Sequence, residues 1–302
     1  MANRHVFVLL IGNKERGEVN HFQLLQEDTA RSEGRRLGFE IEVAFAPGFD
    51  QLRTVKRRMG DAGPAVDAVV TEPANNATMD LMLGELRGRS GLIILSAWGP
   101  SIEQAATSWG KDLPMGSVGT DHLRVGEIQG RQVSALLPHG GRVLYVTGPL
   151  RSSAAQQRLS GLKSQLGPAV RLEEISAGQW TESDGIVAFN DWYRVAKAHD
   201  PVLPVIAAGN DELALGARRA CEALANAQHR ETLLRARFLG VDACPTFGQK
   251  LIAEKQLHAS VLTPANTGLA LGHLHRYWTE GTPVPLRSFT EAQPFPASSI
   301  AA

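Results

Sequence analysis

Val205-Ile206-Ala207-Ala208-Gly209-Asn210-Asp211-Glu212-Leu213-Ala214-Leu215-Gly216-Ala217 carries the logic of the whole chain. Val205–Ala208 is an apolar run with no polar alternation, which is the pattern of a strand covered on both faces in a parallel sheet. Gly209 turns the chain. Asn210 and Asp211 then stand where a helix opens, and their side chains can accept the free N–H groups of its first turn. A strand that runs directly into a capped helix is half of a βαβ unit.

The same rhythm extends in both directions. Toward the N-terminus, Val6–Ile11 reads as a buried first strand, Phe22–Leu37 as a helix stopped by Gly38, Glu40–Phe45 as a strand and Gln51–Met59 as a helix. Ala68–Thr71, a helix around Met79–Arg87 and Leu92–Leu95 complete that series. It restarts near residue 121 with His122–Leu137, Arg142–Thr147, Ala154–Leu166, Val170–Ile175 and Ser183–Ala198. Beyond the opening stretch, the helix from Asp211 is expected to reach Ala227. Phe238–Val241, Pro245–Glu254, Ala259–Leu262 and Thr267–Trp278 follow. Strands alternating with helices mean parallel sheets wrapped by helices. No low-complexity linker and no 20–50-residue repeat interrupts the chain.

With 302 residues, of which 43% are hydrophobic and 21% charged, the chain is long enough for two lobes with real cores. Lys+Arg and Asp+Glu are equal at 31 each, so the net charge is zero. That argues against nucleic acid, whose phosphates call for a basic surface. Cys221 and Cys244 show no CxxC spacing, so they read as two inert thiols, with one bridge open if the protein is exported. The apolar run His5–Ile11 is too short for a leader, and no stretch approaches the roughly 18 apolar residues of a membrane span. Membrane insertion is therefore not expected. Export stays open: the location is periplasmic if a leader was removed and cytoplasmic otherwise.

The sequence holds no phosphate loop, no GxGxxG after a strand, no HExxH and no GxSxG. His273 and His275 are two apart on a helix, a poor metal pair. No catalytic residue, metal or cofactor is expected, and the chain is read as a binding protein rather than an enzyme.

In open α/β sheets, ligands bind beyond the carboxyl ends of the strands. The residues standing there are Asn20 and Phe22, Glu72, Trp98, Asp121, Gln156 and Arg158, Trp180, Asn210, Asp242 and Thr263. Carboxylates, amides, hydroxyls and flat aromatic faces together suit a sugar, with its vicinal hydroxyls and C–H faces. Each has a plainer explanation as well. Asp121, Asn210 and Asp211 fit helix caps, Trp98 and Trp180 fit packing, and Arg158 fits a pairing within its own lobe.

Ala208–Ala217, Leu239-Gly240-Val241-Asp242, Thr147-Gly148-Pro149 with Ser152–Arg158 and Gly161, Val118–Asp121 and Val66–Val70 together resemble the type I periplasmic sugar-binding proteins. That family shares its fold with the effector domains of lactose-repressor-type regulators. The resemblance spans nearly the whole chain. It implies that Asn20 and Phe22 follow the first strand as ligand contacts, that Trp180 is the aromatic contact of the second lobe, and that Asn210 and Asp242 grip hydroxyls. Gln156 falls where some ribose binders place an arginine, and Thr263 near a glutamine at the second crossing. Two departures stand out. Glu72, before Pro73, replaces the usual asparagine, and Ser96-Ala97-Trp98 replaces an aspartate–arginine pair.

The expectation is thus two doubly wound parallel-sheet lobes of the periplasmic-binding-protein-like I class, joined by a three-crossing hinge. Residues 1–118 with 265–283 form the N-terminal lobe, and 119–264 with 284–302 the other. The implied function is capture of a small polar solute, a sugar or polyol, by hinge closure for a membrane transporter or sensor partner. The alternative is the effector-binding domain of a lactose-repressor-type regulator without its DNA-binding part.

Overall fold

The structure, a computed structural model, describes residues 4–60, 65–110, 112–197 and 201–300. The elements run β1 (Arg4–Ile11), α1 (His21–Leu37), β2 (Phe39–Ala46), α2 (Gln51–Gly60), β3 (Ala68–Thr71), α3 (Asn76–Leu86), β4 (Gly91–Leu95), α4 (Pro100–Ala106) and β5 (Met115–Thr120). Then come α5 (His122–Leu136), β6 (Gly141–Thr147), α6 (Ser153–Ser164), β7 (Val170–Ser176), α7 (Glu182–Ala196) and β8 (Val205–Ala208). The chain continues through α8 (Asp211–Glu222), α9 (Ala227–Leu234), β9 (Arg237–Leu239), α10 (Gly248–Ala253) and β10 (Ser260–Leu262). It ends with α11 (Asn266–Glu280), β11 (Arg287–Thr290) and β12 (Gln293–Phe295).

Two compact units divide these elements. Met1–Thr120 with Ala265–Thr290 make the first, and Asp121–Pro264 with Glu291–Ala302 the second. The chain therefore passes from unit to unit three times.

In the first unit a six-stranded sheet has the order β11-β5-β4-β3-β1-β2, and every pairing is parallel. β1 shows why its run carries no polar alternation. Phe7 and Leu9 enter one core with Met79, Met82 and Leu83 of α3 and with Trp109. Val6, Val8 and Leu10 enter the opposite core with Ala30 of α1 and Ala270, Leu271 and Leu274 of α11. Each face of the strand is thus covered by helices, as a parallel sheet requires. Gly38 ends α1 in the left-handed region at φ 73°, where a Cβ would be strained.

The second unit holds a four-stranded parallel sheet ordered β7-β6-β8-β9, with β10 and β12 pairing antiparallel. Leu144 and Val146 of β6 face the core of α7 and α8, while Val143 and Tyr145 face α5 and α6. α5 and α6 cross at glycines. A Cβ at Gly126 would lie 2.0 Å from the Arg158 carbonyl oxygen, and one at Gly161 would lie 2.1 Å from that of Leu123. Only bare backbones fit there, so Arg158 is held close to the start of α5.

Several elements differ from the sequence-based expectation. β5 is a strand, although Gly116 and Gly119 weaken its apolar signal; a Cβ at Gly116 would meet the Pro285 carbonyl oxygen at 2.4 Å. α4 and β12 were also not expected. The helix opening at Asp211 ends at Glu222, and Asn226 starts a separate α9 by accepting the His229 N–H. α10 begins at Gly248 rather than Pro245. Residues 284–290 were placed with the second lobe, but the division falls after Thr290 because β11 pairs with β5, Ser288 opposite Val118. The end of the expected helix Ser183–Ala198 reaches outside the described residues at Ala198.

Candidate functional site

At the carboxyl ends of the first unit's strands, polar side chains form one connected chain. Asn20 caps α1 by accepting the Gln23 N–H at 2.9 Å, and Phe22, partly buried, lies in the same first turn. Gln23 Nε2 donates to the Glu72 carboxylate at 2.6 Å, and Gln51 Nε2 donates to the Glu72 carbonyl at 2.8 Å. The hydroxyl of Ser96 also donates to Glu72. Burial pushes the Glu72 carboxyl above its ordinary range, and the bonds from Gln23 and Ser96 only partly offset it. Ser96, at φ 59°, accepts from Asn266 Nδ2 at 3.1 Å. Asn266 Oδ1 in turn receives the hydroxyls of Thr120 at 3.4 Å and Thr290 at 3.2 Å.

Trp98 stands apart from this chain. Its ring packs onto the core of Phe7, Leu9 and Trp109, and the Arg287 guanidinium lies 5.2 Å from its centroid. In this unit the packing explanation of Trp98 is the one the contacts describe.

In the second unit the strand ends converge on Arg158, which is 7% exposed. Its Nε donates to His122 Nδ1 at 3.3 Å, its Nη1 donates to the Gly209 carbonyl, and its Nη2 lies 3.5 Å from Asp242 Oδ1. The guanidinium carbon sits 5.4 Å from the centroid of the Trp180 ring. Trp180 in turn lies across two glycines: a Cβ at Gly148 would fall 2.2 Å from its Cη2, and one at Gly209 2.9 Å from its Cζ3. These glycines are the floor on which the indole rests.

Asn210 caps α8 by accepting the Leu213 N–H at 2.9 Å, and its amide donates to the Trp180 carbonyl at 3.1 Å. Asp242 adopts φ 104° and the next residue, Ala243, φ 44°, a left-handed pair that non-glycine residues enter only at a cost. Thr263 Oγ1 donates to Asp242 at 3.3 Å. Asp211 supports this turn from beneath, accepting the Ala243 N–H at 2.8 Å and the Ser260 hydroxyl at 2.6 Å. Burial drives the Asp211 carboxyl well above its ordinary value, and the Asp242 charge adds to it. Burial also raises Asp242 to about 6, against the lowering influence of Arg158. It lowers His122 to about 3, and the Arg158 charge acts in the same direction.

Two expected residues lie outside this convergence. Asp121 is exposed and caps α5 through the Arg124 N–H at 3.0 Å. Gln156 is exposed and donates to the Leu150 carbonyl at 2.8 Å, two residues before the buried Arg158 and so on a different face of α6. The sequence reading passed over Gln23, Asn266 and His122. Each stands within three residues of a position it did select, or directly after a strand-end loop, and lacked only a charge or motif to mark it.

Among the described residues no group of three or more His, Cys, Asp and Glu side chains is placed to hold a metal ion. Cys221 and Cys244 are buried free thiols. Among the same residues no helix is long and apolar enough to cross a membrane.

Residues 110–268 match the family model described as periplasmic binding protein domain. The chain belongs to this family. Its periplasmic-binding relatives include the D-ribose/D-allose-binding protein of Pseudomonas aeruginosa, 25% identical over 69% of this chain and 64% of that one. The ribose import binding protein of Escherichia coli is 28% identical over 48% of this chain and 45% of that one. The matches thus span less than two thirds of the length of either relative. Among solved structures, a periplasmic solute-binding protein of an ABC transporter from Actinobacillus succinogenes, with bound D-allose, superposes with a TM-score of 0.79 at 16% identity. That superposition covers 98% of this chain and 99% of that one. A solute-binding protein from Bacillus halodurans with bound myo-inositol gives 0.75 at 20% identity, covering 99% and 97%. These likenesses extend the parallel α/β architecture to both units.

Proposed function

We propose that this protein is a solute-binding receptor for a neutral, hydroxyl-rich small molecule, a sugar or cyclic polyol. It acts without chemistry of its own and hands its ligand to an ABC transporter or reports it to a sensor partner. The observation that carries this reading is the makeup of the strand ends. Carboxylate, amide and hydroxyl groups are held in place by bonds within each unit, and in the second unit they stand around the partly exposed Trp180 indole, whose uncovered part suits the C–H surface of a sugar ring. The relatives support it: those reported above are named for ribose, allose or solute binding, and the two structures hold D-allose and myo-inositol. They also favour a receptor over the effector domain of a regulator, and a periplasmic site of action.

The contacts we assign to the ligand are Asn20, Phe22 and Glu72 in the first unit and Trp180, Asn210, Asp242 and Thr263 in the second. Glu72 accepts hydrogen bonds and, when ionised, donates none, so its edge favours hydroxyls over a carboxylate. Arg158, the buried cation among the described residues at the second unit's strand ends, already has Asp242, Gly209 and His122 as partners. The buried guanidinium is thus already engaged and is not open to the carboxylate of a sugar acid. Titration calorimetry with D-ribose, D-allose, myo-inositol and a sugar acid tests the proposal. Saturable binding of a neutral member is the expected result, and binding of the acid alone would overturn it.

A further inference from the structure

Arg158 ties together four segments of the second unit: the start of α5 through His122, the turn after β8 through Gly209, the turn after β9 through Asp242, and the loop before α7 through Trp180. Three of these partners are what an arginine ordinarily finds: a carbonyl, a carboxylate and a ring face. The fourth is not. Imidazole can accept the Arg158 Nε–H only while its Nδ1 carries no proton, because a protonated ring has two donors, no acceptor and a charge like that of the guanidinium.

We infer that His122 is the positioning residue of this hub. Its neutral ring, protonated at Nε2, accepts Arg158 Nε–H at Nδ1 and so fixes the guanidinium plane over Trp180 with Nη2 turned to Asp242. The geometry leaves the ring little alternative. His122 is the first residue of α5, and the glycine crossing of Gly126 and Gly161 holds that helix end against α6, so ring and guanidinium stay within reach of each other. Burial and the Arg158 charge both resist ring protonation. The other ionisable groups around the hub are Asp242, Asp211 and Tyr145, each under the influence of the Arg158 charge, Glu212 acting on Asp242, Asp121 at the start of α5, and the Arg124–Glu127 pair on α5 itself, joined at 2.9 Å. Without the acceptor, Nε–H would be a buried donor with no partner, and the guanidinium would be free to rotate off the indole. Trp180 and Asp242 would then lose their mutual setting without being altered themselves.

This role rests on the receptor reading above, so two separate measurements test it. The first uses no ligand. In nitrogen-15 NMR of the full chain with labelled histidine, one ring signal disappears in His122→Asn. In the wild type that signal should show the Nε2–H tautomer and stay unshifted from pH 8 to 4.5. An ordinary titration through pH 6.5, or a proton on Nδ1, would overturn the inference. The second is calorimetry with D-ribose, D-allose and myo-inositol on variants whose melting confirms that they fold. Asn offers Oδ1 in place of Nδ1, so His122→Asn should bind within about threefold of the wild type. His122→Leu should bind roughly 10- to 100-fold more weakly, the worth of a hydrogen bond to a charged group. Equal affinities for the Leu variant and the wild type would contradict a positioning role. A wild type that binds none of the probes would refute the receptor reading alone, and the tautomer measurement would still decide on His122.

Discussion

Asp242 combines a left-handed backbone with a buried carboxylate. Its left-handed φ of 104° is held by Asp211 below and Thr263 beside it. Replacing it by alanine should weaken ligand binding by roughly 1–3 kcal/mol, since a ligand hydroxyl then loses its partner in a dry site. Asn210→Ala should cost a similar amount in binding, and about 1 kcal/mol of stability besides, because it also removes the α8 cap. Unchanged affinity in both variants would remove these residues from the site. The same residues set a dependence on pH. Asp242 ionises near 6 in the folded chain against an ordinary 3.8. Its contribution to stability is therefore full below about pH 4 and is lost as pH rises through 6. His122, lowered to about 3 from 6.5, works in the opposite sense: its contribution is full above 6.5 and is lost as pH falls toward 3. Melting temperatures should accordingly show Asp242→Asn gaining on the wild type as pH rises from 4 to 6. His122→Asn should gain on it as pH falls from 6.5 to 4.5. Curves parallel to the wild type would contradict both assignments.

At the scale of elements, the loops after β6 and β8 are shaped to carry an indole. Gly148→Ala should push the Trp180 ring off its floor, since its Cβ would lie 2.2 Å from Cη2. The expected cost is about 1–3 kcal/mol of stability from overpacking, with weaker ligand binding in the same variant. Circular dichroism melting and calorimetry would measure the two effects, and an unperturbed variant would show that the ring has room elsewhere. Much of this layer was legible in the sequence. Runs such as Val6–Ile11 and Val205–Ala208 are apolar on both faces, and Asp121 and Asn210 fit helix caps, where the structure shows each accepting an N–H of the first turn. β5 and β11 were hidden because their pairing, not their side chains, makes them strands. β5 carries two glycines and β11 alternates exposed residues at the sheet's edge. In the site, charges and aromatics such as Glu72, Arg158 and Trp180 could be picked out one at a time. Gln23, Asn266 and His122 could not, because their roles lie in side-chain pairs such as Gln23–Glu72 and His122–Arg158, separated by 49 and 36 residues.

For the molecule as a whole, family membership and strand-end chemistry support the proposed receptor, in which polar groups are set in advance by bonds within each unit and the ligand supplies the missing partners. In the proposed site Glu72 is the departure from a common pentose binder, because a carboxylate stands where the resemblance leads one to expect an amide. Glu72→Gln should shift the order of preference among neutral ligands while leaving the fold intact, as a thermal-shift series over the same ligands would show. The most direct measurement of the central claim is that thermal-shift and calorimetric panel on the wild-type chain, with D-ribose, D-allose, myo-inositol, several acyclic polyols and a sugar acid. The account predicts one-to-one binding of at least one neutral compound, with a stabilisation of about 2.7 kcal/mol at 100 times its dissociation constant. No response to any neutral compound, or a response to the sugar acid alone, would contradict it.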